Sequence, residues 1–189
     1  MCVADSDLIA SLLIAMPQLE DPNFKRSVML IVHHDEGGTF GLVLNRPVDM
    51  SARDLCDSLE VGWGGDPSMP LHWGGPVQPN TGWMLFNEDL STSADVLCVT
   101  CVEKGIYFAG SLDVLRVIAE SPPADLRLYL GYAGWGPGQL EDEMAEGAWL
   151  VAPVSPEMIF DVPSELLWEQ AVRSLGIDPA TLIPTRGVH

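Results

Sequence analysis

Basic residues are scarce in this 189-residue chain: nine Lys and Arg stand against 27 Asp and Glu, a formal net charge of −18. Polyanion binding rests on neutralising phosphates with Lys and Arg. Only Lys25 and Arg26 are adjacent; the other cations are scattered. The field of the whole molecule repels duplexes and anionic lipid alike. No direct nucleic-acid contact and no membrane attachment are therefore expected, and the surplus carboxylates serve solubility first. Long hydrophobic runs are missing as well. The N-terminal apolar stretch, Leu8 to Met16, is nine residues long and is ended by Pro17, too short to span a bilayer. Asp5 and Asp7 stand where a signal peptide has basic residues. Cys2 precedes the apolar run, whereas a bacterial lipoprotein cysteine would follow it. A cytoplasmic protein is the expectation.

Reactive constellations are also sparse. The four cysteines are Cys2, Cys56, Cys98 and Cys101. Cys98 and Cys101 have C-x-x-C spacing, but their β-branched flanks read as a strand, where residues three apart face opposite ways. That geometry suits neither a redox pair nor one metal site, so ordinary buried cysteines are expected. No G-x-S-x-G elbow is present. Ser27, Ser51, Ser93 and Ser111 sit at cap or strand-edge positions. No cofactor is implied.

What the chain has in quantity is core: 47% of its residues are hydrophobic, ample for one domain spanning 1–189. Val28 to His34 reads as a buried strand, Asp35 to Gly38 as a turn and Phe40 to Leu44 as the returning strand. Ser51 and Asp54 make a capping-box pattern opening a helix with Leu55 and Leu59 on its apolar face. Val61 to Pro70 reads as a loop. Trp83 to Phe86 and Val96 to Val102 read as strands. Ser111 precedes a helix with Leu112, Leu115, Ile118 and Ala119 at helical spacing, stopped by Ser121-Pro122-Pro123. Leu126 to Leu130 alternates as a strand; a glycine loop follows, then an acidic helix around Gln139 to Ala145. Ala148 to Ala152 is a strand, and Met158 to Phe160 a further strand candidate. Pro163-Ser164-Glu165 opens a last helix with Leu166, Leu167, Ala171 and Leu175 facing the core, Trp168 near the edge and Gly176 as terminator. Runs of strands with irregularly placed helices argue for α+β.

Several segments invite a functional reading. Leu130 to Leu140 has the strand–glycine loop–helix layout of a phosphate cradle. Glu141, Asp142 and Glu143 occupy the helix's first turn, however, and repel phosphate, so a capped turn is favoured, with a neutral or cationic ligand left open. His33 and His34 face opposite ways on a strand and cannot share an ion. His34 beside Asp35 makes a candidate acid–base pair; local polar contacts explain it equally well. Asn45-Arg46-Pro47 at a strand end suits a turn or a ligand-orienting site at a groove mouth. Gly74-Gly75-Pro76 needs a close backbone approach. The six tryptophans read as core or rim anchors.

Taken together, Leu13-Ile-Ala-Met-Pro-Gln-Leu-Glu-Asp-Pro-Asn-Phe24, His34-Asp-Glu-Gly37, Gly41-Leu-Val-Leu-Asn-Arg-Pro47, Gly74-Gly-Pro-Val-Gln78, Gly131-Tyr-Ala-Gly-Trp-Gly-Pro-Gly-Gln-Leu-Glu141, Trp149 and the closing helix through Leu175-Gly-Ile-Asp178 resemble the YqgE/AlgH family of bacterial proteins. The resemblance covers nearly the whole chain in order. It implies an α+β fold whose branched, mostly antiparallel sheet curls into a pseudo-barrel beside helices. Some members are labelled transcriptional regulators of alginate synthesis; no catalytic residue or cofactor comes with the family. The family commonly places an acid just before the histidine matching His34, where this chain has His33, which weakens a His–carboxylate pair at that spot. The resulting expectation is a non-enzymatic binding or regulatory module acting on an unknown protein or small-molecule ligand. Its groove would be lined by His34, Asn45, Arg46, Gly75, Trp135 and Gln139. A hydrolase-like enzyme using His34 is the alternative, and a DNA-binding regulator the least favoured.

Overall fold

The N-terminal apolar run becomes an interior strand of a sheet. In the computed structural model, which describes residues 8–90 and 99–182, strand β1 (Ser11–Ala15) lies between β10 (Trp149–Pro153) and β2 (Val28–Asp35), antiparallel to both. Leu12 and Ile14 face one core while Leu13 and Ala15 face another. Burial on both faces explains why β1 is apolar throughout Leu12–Ala15 rather than alternating. β2 turns through Glu36 and Gly37 into β3 (Gly38–Val43), with a bulge between Ile31 and His33.

β4 (Pro47–Ser51) leads into α1 (Ala52–Ser58), and the expected capping box is formed: Ser51 Oγ accepts from Asp54 N, and the Asp54 carboxylate accepts from Ser51 N. β5 (Pro70–Trp73), β6 (Val77–Phe86), β7 (Val99–Glu103) and β8 (Ile106–Ala109) follow. Next come α2 (Leu112–Glu120), capped by Ser111, β9 (Leu126–Trp135), α3 (Gln139–Ala145), β10, α4 (Pro156–Phe160), α5 (Ser164–Ser174) and α6 (Pro179–Leu182). The main path of the sheet is β10-β1-β2-β3-β9-β6-β8-β7. Only the β5–β9 pairing is parallel among the described residues. The result is a mostly antiparallel sheet curled into a half-barrel with flanking helices, the α+β class expected.

β9 is where the sheet branches. Its first half pairs with β6 and β5, its last residues with β3. Gly74, Gly75 and Gly131 stand at the crossing. A Cβ on Gly75 would lie 2.0 Å from the Tyr132 carbonyl carbon, and one on Gly131 2.3 Å from the Gly75 oxygen. These backbones touch directly, which only glycine permits.

Several expectations need correction. The glycine segment after Leu130 is strand through Trp135, leaving 136–138 as the turn. Its ladder continues because β3 supplies partners beyond the branch. Met158 to Phe160 lies in helix α4, since Ser155 caps the Met158 N–H and Pro156 opens the helix. On α5, Trp168 is buried and Leu166 is 47% exposed; the helix is rotated so that Leu167, Trp168, Ala171 and Val172 face the sheet. Trp168 Nε1 donates to Ala15 O at 2.8 Å, which lets the indole enter the core. Cys56 is buried, as expected, but Cys101 is exposed on β7, the last strand of that path. Cys2, Cys98, Ser93, His189 and the start of the strand expected from Val96 lie outside the described residues.

Three cores result. One packs β1, β2 and β3 against α4 and α5; a second lies beneath α1 and α2; a third gathers Trp135, Leu140 and Trp149 on the opposite face of β1 and β2.

Candidate functional site

The end of β2 aims its two histidines apart, as strand geometry requires. His33 is exposed, and its Nε2 meets Asp35 at 2.8 Å. That bond, followed by the one from the Gly37 N–H, holds the Asp35 carboxyl below its ordinary range. His34 is buried. Its Nδ1 shares a 2.7 Å hydrogen bond with Thr39 Oγ1, and its Nε2 lies 3.4 Å from Glu141 Oε1. The anticipated His34–Asp35 pair is therefore not formed: Asp35 points with His33, and the carboxylate facing His34 comes from α3.

The turn before α3 is closed by Gln139, whose Oε1 accepts from Gly136 N at 3.1 Å. Gln139 Nε2 donates to Glu143 Oε1 at 3.0 Å. Trp135 Nε1 and Trp149 Nε1 both donate to Glu143 Oε2, at 3.0 and 2.8 Å. One carboxylate thus collects two indoles and an amide. Glu143, which reads in the sequence as an exposed helical acid, is instead the shared acceptor of this cluster. Its signal was Gln139 four positions earlier on the same helical face.

Asn45 and Arg46 bind the chain's own backbone. Asn45 Oδ1 accepts from Val28 N, and Asn45 Nδ2 donates to Arg26 O, each at 3.0 Å. Arg46 Nη2 donates to Lys25 O at 2.6 Å. Arg26 has a φ of 54°, and these bonds brace that turn at the entrance to β2. Gly75 belongs to the branch crossing. The six predicted residues do not line one groove. Trp135 borders an open depression with His33, Asp35, Thr39 and Tyr132. Asn45 and Arg46 border another, beside Trp168 and Glu169. His34, Gln139 and Gly75 line neither.

A different feature has the character of a ligand pocket. Between α1, α2 and the face of β6 and β9 lies a cavity of about 330 Å³. Leu55, Leu59, Met84, Leu112, Leu115 and Leu128 contribute its apolar wall, and Asn80, Thr81 and Ser111 also line it. Leu59 and Leu112, assigned to helix core faces by their spacing, are each 39% exposed. They flank unfilled space instead of sealing it.

A second missed cluster lies across the sheet. His72 on β5 is buried, with its Nε2 3.5 Å from Ser164 Oγ. Burial first, then the Arg127 charge, push its pKa down to about 4, partly countered by hydrogen bonding with the Leu128 backbone. Tyr129 packs beside it at 5.5 Å between ring centroids, and burial drives its phenol upward. Among the described residues, no group of His, Cys, Asp and Glu side chains is arranged to hold a metal ion, and no helix is long and apolar enough to cross a membrane.

Comparison with known proteins places this architecture. The profile of the AlgH-like family matches residues 12–180. A UPF0301 protein of Myxococcus xanthus is 38% identical over 184 residues, covering 97% of this chain and 99% of the relative. One from Ruegeria pomeroyi is 38% identical over 184 residues, covering 96% and 98%. The solution structure of AlgH from Pseudomonas aeruginosa superposes with a TM-score of 0.76 at 33% identity, over 100% of both chains. A crystal structure of a Corynebacterium diphtheriae protein gives 0.69 at 25% identity, over 96% and 92%. The chain belongs to the AlgH-like, UPF0301 family of bacterial proteins.

Proposed function

We propose that this protein is a non-enzymatic binding module that captures a small, mainly apolar molecule between α1 and α2. The observation that carries the reading is the leucine-lined cavity of about 330 Å³ with two half-exposed leucines beside it. Its size and lining fit the usual profile of a small-molecule site. A supporting contrast comes from the family segments: Asn45, Arg46, Gln139 and Trp135 bond to backbone or to Glu143, so they shape the fold. Regulation, on this reading, passes through ligand or protein contact in the cytoplasm, because a charge of −18 opposes duplex binding.

Titration with a neutral fluorescent naphthylamine tests the pocket. The wild-type chain should bind it saturably. Leu112→Trp, which places bulk beside the cavity, should weaken binding at least about tenfold while leaving Tm within a few degrees. Equal binding by the variant would sink this assignment.

A second reading is favoured by one contact. His34 lies between the Thr39 hydroxyl and the Glu141 carboxylate, the layout of a base with an orienting acid. It requires activity on an activated ester that Glu141→Gln abolishes; an inert wild-type protein removes it.

A further inference from the structure

The floor of the pocket between α1 and α2 is made of two cross-strand pairs on β6 and β9, Gly82 opposite Leu130 and Met84 opposite Leu128. At Gly82 the floor lacks a side chain. A Cβ there would meet nothing within 4 Å, and its φ is not one that demands glycine. The space beside Leu130 stays open for that reason. Polar groups reach the pocket from two places. Asn80 and Thr81 stand on a bulge of β6, where five positions from Val77 to Gly82 are matched by two on β9, from Tyr132 to Leu130. Gln78 opens the bulge with a φ of 47°, and bulges of this kind re-aim side chains. Ser111, ahead of α2, is the other contributor. Although 19% of the chain is charged, no Asp, Glu, Lys, Arg or His lines the pocket among the described residues.

We infer that the pocket takes an uncharged amphiphile, a short acyl chain ending in a carboxamide, and refuses the carboxylate of the same length; this rests on the small-molecule reading given above. A hydroxyl carries one proton and two acceptor sites. Thr81 Oγ1 donates to Gln78 Oε1 at 3.3 Å, so its proton is spent and an acceptor site remains. Ser111 Oγ accepts from Val114 N at 3.2 Å, which leaves its proton to offer. Asn80, exposed on the bulge, adds an amide that both donates and accepts. A carboxamide head answers this set: its carbonyl accepts from Ser111, and its N–H donates to Thr81 or Asn80. A carboxylate only accepts, so it would face the Thr81 oxygen without a proton between them. It would also enter without a cation to offset its charge, and an unpaired buried charge is costly. A cavity of about 150 Å³ holds one benzene. At about 330 Å³, this pocket has room for a chain of roughly ten heavy atoms.

The test is displacement of the neutral naphthylamine from the full chain, at about pH 8, by octanamide and by octanoate, which is ionised there. Octanamide should displace the probe saturably and bind at least about tenfold more tightly than octanoate. Gly82→Leu, which fills the open floor, should abolish octanamide binding while Tm stays level or rises. Ser111→Gly keeps an acceptable helix cap but removes the hydroxyl; it should weaken octanamide about fivefold, and Ser111→Thr should restore the affinity. If the naphthylamine itself does not bind, the pocket reading falls and this inference falls with it. If the probe binds and octanoate matches octanamide, or neither displaces it, the pocket stands and the neutral head is overturned. Octanamide binding that survives Gly82→Leu, or that ignores the Ser111 hydroxyl, overturns it likewise.

Discussion

At the scale of single residues, a polar side chain in this fold is defined by what accepts or donates to it. Glu143 looks like surface acid in the sequence, yet it accepts from two indoles and one amide. His72 shows the converse. It was an unremarked residue in a strand lead-in, and the structure buries it next to Arg127, with a pKa near 4 against 6.5 for the free side chain. That depression has a consequence for stability. Between pH 6.5 and about 4 the unfolded chain binds a proton at His72 that the folded chain refuses. Stability therefore falls as pH falls through this window, by roughly 3 kcal/mol across it. Above pH 6.5 the contribution is constant. Denaturant unfolding of His72→Leu should show a shallower acid limb over that range than the wild type. An unchanged limb would mean that the histidine is protonated in the fold.

At the scale of elements, glycines divide into two kinds that composition alone cannot separate. Gly75 and Gly131 sit where backbones cross; Gly138 precedes α3 with φ of 75° and open space around its would-be Cβ. Gly75→Ala should prevent folding or cost well over 3 kcal/mol, because the displaced atoms are main chain. Gly138→Ala should cost only about 1 kcal/mol, the left-handed penalty. Thermal melts of the two variants give the comparison, and similar melting temperatures would contradict the crossing as described. The same distinction shows what was readable beforehand. Periodicity located β2, β3, α1, α2 and α3, since each carries its own alternation, cap or turn. It missed β1, β4, β5 and β8: β4 and β5 find each other across α1 and a loop, β1 pairs with β10 from the far end of the chain, and the four-residue β8 carries too short a pattern to stand out although β7 is its neighbour. It mistook the second half of β9 for a loop, because a glycine-rich strand becomes a strand only when another backbone approaches it closely. The proposed site residues were individually conspicuous, but conspicuous polar residues at strand ends turned out to brace turns. The cavities arise instead from leucines, a histidine and an arginine brought together by the branch of the sheet, and no local pattern marks them.

At the scale of the molecule, 27 acids surround the cores against nine cations, and five of those cations are drawn to α5. Only Arg53, Lys104, Arg116 and Arg186 remain to offset the carboxylates of the rest of the chain. Described ion pairs between formal charges, such as Arg116–Asp113 and Arg173–Glu169, join exposed partners, and such pairs contribute little. Net repulsion should therefore outweigh pairing, and screening should relieve it. Raising sodium chloride from about 0.01 M to about 0.15 M shortens the screening length from roughly 30 Å to 8 Å. Tm should rise by a few degrees over that interval, in proportion to the self-repulsion removed. Repeating the scan in Lys25→Glu/Arg173→Glu makes the argument local. Removing cations from the α5 cluster adds repulsion where attraction had stood, so the low-salt Tm should drop further and the salt response steepen. A Tm that falls with salt in the wild type would show that pairing, not repulsion, governs this surface.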